Sequence, residues 1–216
     1  MMRQGLLGGT FDPIHRGHLD VAEAARTALG LDRVVLVPCH IPPHRRPPVA
    51  SAAHRFAMAA LAVQPHPHLR VSDLEMEDAS PSYTSTTLVR LASRGVDLST
   101  VFLITGADAF ADIGTWKDYP AILDRCHFVV VSRPGRAVAT LPGILAGLAP
   151  RMLEAPCAIP EHPAVFLVEA PTSPVSSTEI RGRVRAGQPI TDLVPAGVAA
   201  YIERHGLYAD ALKDFA

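Results

Sequence analysis

The sequence has little that would suit a membrane or secreted protein. No apolar run approaches the about 20 residues that a membrane-spanning helix needs, and no apolar stretch with a small-residue cleavage site follows the first residues. Its three cysteines are scattered, and no CxxC pair occurs. We therefore expect a cytoplasmic protein without a membrane partner, in which Cys39, Cys126 and Cys157 are free, buried thiols.

The sequence also lacks an excess of positive charge. Its net charge is -1, whereas a general nucleic-acid binder is usually basic, and no aromatic and basic strip is present. Basic residues instead form local clusters, at His15 to His18, His44 to Arg46, Arg133 to Arg136 and Arg181 to Arg185. This pattern favours small phosphate-bearing ligands over nucleic acid. Nothing in the sequence indicates an oligomeric state.

Apolar runs that alternate with helical patterns indicate the fold class. Strands are predicted at Gln4 to Leu7, Arg33 to Val37, Leu69 to Ser72, Thr100 to Thr105, Cys126 to Ser132 and Ala164 to Val168. Helices are predicted at Gly17 to Leu29, Ala52 to Val63, Thr84 or Ser85 to Arg94, Tyr119 to Asp124, Ser177 to Ala186 and Ala196 to His205. We expect an α/β, Rossmann-like, doubly wound parallel sheet with helices on both faces. It forms one domain over residues 1–216, with a C-terminal helical part from about 176 to 216.

Two segments give no such pattern. Residues 38–50 contain five prolines, which oppose both helix and strand, so an exposed and partly mobile loop is expected. Residues 135–163 are rich in Pro, Gly and Ala and give the weakest signal in the sequence.

The segment from Gly8 to His18, Gly-Gly-Thr-Phe-Asp-Pro-Ile-His-Arg-Gly-His, follows the first predicted strand. Ligands of open parallel sheets bind at this end of the strands, and glycines let backbone N–H groups approach phosphate oxygens. Histidines three residues apart share one face of a helical turn, at a helix start that attracts anions. One such histidine alone is more often a cap or core residue, and a bare HxxH pair also suits a partial metal site. The whole pattern predicts a triphosphate site, with catalytic His15 and His18 and with ATP-binding Gly8, Gly9, Thr10, Phe11 and Gly17.

Two further segments carry candidate phosphate or ribose ligands. Ser176-Ser177-Thr178-Glu179-Ile180-Arg181 opens a predicted helix, where hydroxyls, free N–H groups and an arginine can bind an anion. A simple helix cap with a surface arginine would look the same. Gly106-Ala107-Asp108 follows a strand end, where the carboxylate suits a ribose hydroxyl or the cap of the next helix. We expect Ser176, Ser177, Thr178, Arg181, Gly106 and Asp108 to contact ATP.

The Gly8–His18 segment resembles the nucleotidyltransferase superfamily, which shares the HxGH signature with class I aminoacyl-tRNA synthetases. That resemblance implies attack by an acceptor oxyanion on the α-phosphorus of ATP, with pyrophosphate leaving. It also implies Mg²⁺ as the companion of ATP. No carboxylate cluster demands a metal site held by the protein itself. In that superfamily the S-S-T-x-I-R segment holds ATP phosphates.

Further segments resemble the bacterial nicotinate-nucleotide adenylyltransferases, nearly from end to end of the sequence. They are Val37 to Arg45, Pro81 to Leu88, Gly106 to Lys117 and Val194 to Tyr208. The resemblance implies that ATP and nicotinate mononucleotide are the substrates and that nicotinate adenine dinucleotide is made for NAD biosynthesis. The flat, positively charged pyridinium ring suits the face of the single tryptophan. The expected acceptor-binding residues are His44, Arg45, Tyr83, Thr84, Trp116, Lys117 and Arg133.

Two residues depart from that family's pattern, and other functions stay open. The family often has Asp where Thr86 stands and Lys where Arg45 stands. A close alternative is an enzyme that uses the amidated mononucleotide, or both mononucleotides, as acceptor. A phosphopantetheine adenylyltransferase is a weaker alternative, because the Tyr83-Thr84 and Trp116 segments and the longer chain disfavour it. A non-catalytic nucleotide sensor or an RNA-binding relic would belong to another class, and the intact histidine pair disfavours a dead enzyme.

Overall fold

A computed structural model describes residues 2–43, 47–76 and 80–209 of the chain. The strands within these ranges are Gln4–Gly9 (β1), Arg33–Pro38 (β2), Leu69–Val71 (β3), Val101–Gly106 (β4), His127–Val131 (β5), Met152–Glu154 (β6) and Val165–Val168 (β7). The α-helices are Arg16–Leu29 (α1), Ala52–Val63 (α2), Thr84–Ser93 (α3), Ala107–Ala111 (α4), Leu141–Ile144 (α5), Ser177–Arg185 (α6) and Ala196–Arg204 (α7). Among these described residues, no helix is both long enough and apolar enough to cross a bilayer.

All seven described strands lie in one sheet, in the order β3-β2-β1-β4-β5-β7-β6. Each neighbouring pair is parallel. From β1 the chain runs outward to β2 and β3, and then crosses back to β4 on the other side of β1. The strand order therefore reverses between β1 and β4, which opens a crevice at the carboxyl ends of these two strands.

Helices cover both faces of the sheet, because the strands are apolar on both sides. Successive side chains of a strand point to opposite faces. Leu7 packs in the core that α1, α2, α6 and α7 complete, whereas its neighbour Leu6 packs in the core that α3, α4 and α5 complete. The expected Rossmann-like architecture is confirmed.

Helix boundaries follow from local chemistry at several positions. α1 ends where Gly30 adopts a left-handed backbone with φ of 59°, a conformation that costs glycine little. α2 begins after Ser51, whose hydroxyl accepts the His54 N–H at 3.3 Å. Both features match the sequence-based expectation. The expected cap of α3 does not, because Tyr83 occupies the N-cap position and α3 already includes Thr84.

The segment 135–163 holds elements that the sequence did not reveal. β6 is a three-residue edge strand, and α5 has four residues, so neither is long enough to show a periodic pattern.

Two other expectations differ from the structure. Ala121–Asp124 forms a 3₁₀ turn rather than the helix expected over residues 119–124, since Pro120 precedes it. The expectation of three buried thiols is wrong for Cys157, which is exposed, while Cys39 and Cys126 are buried.

Candidate active site

A cleft of about 480 Å³ opens at the carboxyl ends of β1 and β4. The cleft lies where the strand order reverses, so that loops from both halves of the sheet form its walls. The sequence-predicted residues that line it are Gly8, Gly9, Thr10, Phe11, Gly17, His18, Thr84, Gly106, Asp108, Trp116, Arg133 and Ser177. Four others, His15, Ser176, Thr178 and Arg181, do not line this cleft.

His15 and His18 stack, with ring centroids 3.7 Å apart. The two residues are linked through the backbone, since the His15 N–H donates to Nδ1 of His18 at 3.2 Å. A nitrogen that accepts a hydrogen bond carries no proton, so the neutral His18 ring has its proton on Nε2. His18 lines the cleft.

His15 occupies the N-cap position of α1 and is only 2% exposed. Burial, with a contribution from the positive charge of Arg133, lowers the pKa of His15 to about 4. The ring is therefore neutral at physiological pH. Its Nδ1 is buried and has no hydrogen-bond partner among the described residues. His15 is thus buried, whereas the His18 ring that stacks on it belongs to a residue that lines the cleft.

Gly17 fills a narrow gap between α1 and the loop that precedes α6. An added Cβ would lie 3.0 Å from the Ser173 carbonyl oxygen and 3.2 Å from Nδ1 of His15. Asp20 holds that loop in place, because its carboxylate accepts the Ser173 N–H at 2.8 Å and the Ser173 hydroxyl at 2.6 Å. Gly17 was expected only to leave space for a phosphate chain, and the structure adds a packing reason for glycine at this position.

The start of α6 packs against the Gly8–His18 segment. The Ser177 hydroxyl donates to the Pro13 carbonyl at 2.9 Å, and the Arg181 guanidinium donates to the Asp12 carbonyl at 2.6 Å. The Ser176 hydroxyl caps α6 by accepting the Glu179 N–H at 3.1 Å. The two segments that the sequence marked separately are therefore joined. The cap and the arginine that were considered structural alternatives are both seen.

Gly106, Asp108 and Arg133 are in close contact at the end of β4. Asp108 lies in the first turn of α4, whose N-cap is Gly106, so the suggestion that Asp108 caps this helix is wrong. Its carboxylate is 3.7 Å from the Arg133 guanidinium. An added Cβ at Gly106 would lie 2.6 Å from the Asp108 carboxylate and 2.9 Å from Cδ of Arg133. A side chain at position 106 would therefore require the Asp108 and Arg133 side chains to shift.

A second, smaller cavity of about 130 Å³ adjoins the cleft. Thr84, Trp116 and Pro43 line both spaces, and Tyr83 and Lys117 line the smaller one. The Lys117 ammonium lies 4.8 Å from the centre of the Tyr83 ring. His44 and Arg45, the two loop residues expected to contact the acceptor, lie outside the described residues, as do residues 210–216 of the expected C-terminal helical part.

Arg55 is a buried residue of the site that the sequence analysis missed. It is 1% exposed, and its guanidinium donates to the carbonyl oxygens of Thr10 (2.7 Å), Cys39 (2.6 Å), His40 (3.0 Å) and Ala50 (3.2 Å). It joins the Gly8–His18 segment to both stems of the 38–50 loop. A signal was available, because Arg55 lies three, four and seven residues before the buried Met58, Ala59 and Ala62 of the apolar face of α2.

Asp12 is a second buried residue of the site for which no role was predicted. It is 5% exposed, and its carboxylate accepts the Val49 N–H at 2.8 Å, the Ala50 N–H at 3.1 Å and the Tyr208 hydroxyl at 2.8 Å. Burial and the negative charge of Asp12 raise the pKa of Tyr208 far above its usual value. The stem of the 38–50 loop is therefore buried where Ala50 lies, contrary to the expectation of a fully exposed loop.

Metal-binding groups are sparse in the part of the chain that the structure describes. No group of three or more His, Cys, Asp or Glu residues lies close enough there to hold a metal ion. The carboxylates of Asp108, Asp112 and Glu75 line the cleft at separate positions.

Comparison with known proteins agrees with this geometry. The family model for cytidylyltransferase-like proteins matches residues 6–183. A protein of Roseiflexus sp. (strain RS-1) named "Probable nicotinate-nucleotide adenylyltransferase" is 46% identical over 209 residues, covering 94% of this chain and 96% of that protein. A protein of the same name from Cronobacter sakazakii is 41% identical, with 96% of each chain covered.

Solved structures share the fold at much lower sequence identity. The nicotinic acid mononucleotide adenylyltransferase of Plasmodium falciparum, solved as a complex with NaAD, has a TM-score of 0.74 at 19% identity. The alignment covers 96% of this chain and 98% of that one. The family match, the high coverage and the identity above 40% to two curated relatives together show that the chain belongs to the nicotinate-nucleotide adenylyltransferases, within the cytidylyltransferase-like family.

Proposed function

We propose that this protein transfers AMP from ATP to nicotinate mononucleotide, which yields nicotinate adenine dinucleotide and pyrophosphate. The proposal rests on the observation that two walls of different composition face the same cleft. One wall holds the glycine-rich segment and the His18 donor, and the other holds Thr84 and Trp116. In this proposal both substrates meet at the switch point of the sheet, in the cytoplasm, without nucleic acid.

ATP would occupy the wall formed by the Gly8–His18 segment. Gly8 has open space where a Cβ would stand, so that backbone N–H groups are accessible to phosphate oxygens. The Nε2–H of His18 would donate to the phosphates, and Ser177 at the start of α6 would add a hydroxyl. Arg181, whose side chain is 21% exposed, would change rotamer to bring its guanidinium to a phosphate.

Nicotinate mononucleotide would occupy the wall formed by Thr84, Trp116 and the adjoining cavity. The cavity of about 130 Å³ suits a single pyridine ring, and the indole of Trp116 offers it a face, to which a cationic ring is attracted. The backbone near Thr84 and Lys117 would receive the carboxylate of the ring. Arg133 would receive the phosphate of the mononucleotide, and His44 and Arg45 would approach from the loop.

The reaction needs no nucleophile from the protein. A phosphate oxygen of the mononucleotide forms a bond to the α-phosphorus of ATP, the bond from that phosphorus to the bridging oxygen breaks, and pyrophosphate leaves with the bonding electrons. The protein positions both phosphates and stabilises the charge that develops. His18 would do so as a neutral donor, and it keeps its proton throughout. Mg²⁺ would enter with ATP, held chiefly by phosphate oxygens, and would neutralise part of their charge.

The decisive experiment is a paired acceptor assay. Pyrophosphate release from ATP is measured with nicotinate mononucleotide, with its amide and with neither. We expect release with nicotinate mononucleotide far above the rate with ATP alone, and formation of nicotinate adenine dinucleotide. Release that neither mononucleotide accelerates would contradict the proposal. Faster turnover of the amide would reassign the acceptor while leaving the adenylyl transfer intact.

A further inference from the structure

Glu75 is a buried carboxylic acid that the proposed mechanism does not use. It lies in the turn after β3, is 7% exposed, and lines the cleft next to Ser82 and Thr84. A buried carboxyl group is costly unless hydrogen bonds satisfy its oxygens. Burial raises the pKa of Glu75, while hydrogen bonds from Thr87 and Ser82 and the positive charge of Arg90 oppose that effect.

Two hydroxyl groups act on the Glu75 carboxyl, those of Thr87 and Ser82. Both residues belong to the segment that forms part of the acceptor wall. The Thr87 hydroxyl, in the first turn of α3, donates to Oε1 of Glu75 at 2.5 Å. The Thr87 N–H donates to the Tyr83 carbonyl at 3.0 Å. Glu75 is therefore fixed to the turn of helix that presents Tyr83 and Thr84 to the cavities.

Ser82 extends this link to the 38–50 loop. The Ser82 hydroxyl is near enough to Glu75 to lower the pKa of that carboxyl. Its Oγ accepts the His40 N–H at 2.9 Å, and the Ser82 N–H donates to the Ile41 carbonyl at 2.9 Å. Ile41 also forms an isolated parallel bridge with Pro81. The loop residues that lead into Pro43, at the mouth of both cavities, are thus held to the segment that presents Thr84.

We propose that Glu75 is a positioning residue for the acceptor nucleotide, which fixes the start of α3 and the 38–50 loop at the separation that the acceptor requires. This role rests on the proposed function, because it concerns the same wall of the cleft. The start of α6 holds the ATP wall through contacts that do not involve Glu75, from Ser177 to the Pro13 carbonyl and from Arg181 to the Asp12 carbonyl. Loss of Glu75 should therefore affect the two substrates unequally.

The test compares Glu75→Gln and Ser82→Ala with the wild type. Glu75→Gln keeps the side-chain size but replaces one carboxyl oxygen by an amide nitrogen, which cannot accept a hydrogen bond, and Ser82→Ala cuts the link to His40 while leaving the carboxyl buried. For each protein, kcat and the KM of each substrate are measured, and the Kd of nicotinate mononucleotide is measured by calorimetry. We expect KM and Kd for the mononucleotide to rise about tenfold in both variants, since a buried hydrogen bond that joins the segments of the acceptor wall is lost in each. KM for ATP should stay within about threefold.

Matched controls are Glu161→Gln, an exposed carboxylate, and Ser93→Ala, an exposed hydroxyl of α3 that bonds only within its helix. Both should behave as the wild type. An unchanged mononucleotide Kd in Ser82→Ala, or an equal loss for ATP, would overturn the positioning role. If Glu75→Gln does not fold, Ser82→Ala decides alone. Failure of the proposed function is seen separately, because the wild type itself would then neither bind nor adenylylate the mononucleotide.

Discussion

The two walls of the cleft are built in different ways. The proposed ATP wall comes largely from one continuous segment, Gly8 to His18, with the start of α6 packed on it. The proposed acceptor wall is assembled from three separate segments, around Pro43, Thr84 and Trp116. Chain connectivity keeps the residues of the ATP wall together, whereas the acceptor wall needs a buried side chain such as Glu75 to hold its segments together.

Removal of Arg55 should have the largest effect, because this residue joins the two walls. Arg55→Met leaves four carbonyl oxygens without their donor in a buried site. We expect the free energy of unfolding to fall by about 3–5 kcal/mol, the range for breaking a buried charged network. Urea denaturation measures the change.

The matched control for that experiment is Arg70→Met. Arg70 also donates to two backbone carbonyl groups, those of Pro67 and Leu69, but it is exposed. Its loss should cost less than about 0.5 kcal/mol. Equal losses of unfolding free energy for the two variants would mean that the hydrogen bonds of Arg55 stabilise the protein no more than those of an exposed arginine. Arg55 would then not be the residue that joins the two walls.

The next effect belongs to the ATP wall alone. His18→Ala removes a donor that we assign to the charge developing on the phosphates, so kcat should fall by about 10²–10³-fold. KM for ATP should change much less, because the donor acts mainly in the transition state. Steady-state kinetics test this, with His68→Ala as an exposed histidine control. A kcat within about threefold of wild type would contradict the role of His18.

The buried His15 should make the free energy of unfolding depend on pH. Its pKa of about 4 in the folded chain lies below the unfolded value of 6.5, so the unfolded chain takes up this proton first as the pH falls. The stabilisation is therefore complete above about pH 6.5 and is lost towards pH 4, by about 3 kcal/mol in total. Denaturation curves from pH 7 to pH 4 should show this loss in the wild type and in His68→Asn, but a smaller loss in His15→Asn. Identical pH dependence in all three proteins would show that His15 is not a buried neutral group.

The smallest effect should fall on the acceptor wall. Trp116→Ala removes the face on which the pyridinium ring would lie, and we expect KM for nicotinate mononucleotide to rise about tenfold, the upper range of a partly desolvated cation–π contact. KM for ATP should be unaffected. Ile144→Ala, which removes an apolar side chain that is 60% exposed, serves as the control. A rise shared equally by ATP would remove the difference between the two walls.

The sequence predicted the continuous parts of this molecule well. The apolar runs of β1, β2, β4, β5 and β7 are buried on both faces, so their pattern is unbroken, and Gly30 and Ser51 mark helix ends by their own chemistry. β6 was missed because three residues carry no period. Residues assigned to ATP and acceptor binding remain predictions, although most of them line one of the two cavities.

What the sequence could not supply is the tertiary network between distant segments. Nothing in the residue order connects Arg55 to Thr10 or Glu75 to Thr87, because each contact depends on how loops meet after the sheet has formed. The stacked arrangement of His15 and His18 was likewise missed. The three-residue spacing predicts that both histidines are helical, whereas His15 has an extended backbone with φ of -148° at the N-cap position.

The hydrogen bond from Tyr208 to Asp12 bears on biosynthesis. It joins residues 196 positions apart, and domains fold as units while synthesis proceeds from the N-terminus. Residues 8–18 therefore leave the ribosome well before Tyr208, and the Asp12 carboxylate gains this partner only after residue 208 has emerged. Nascent chains that stop before residue 208 should carry the Gly8–His18 segment without this hydrogen bond.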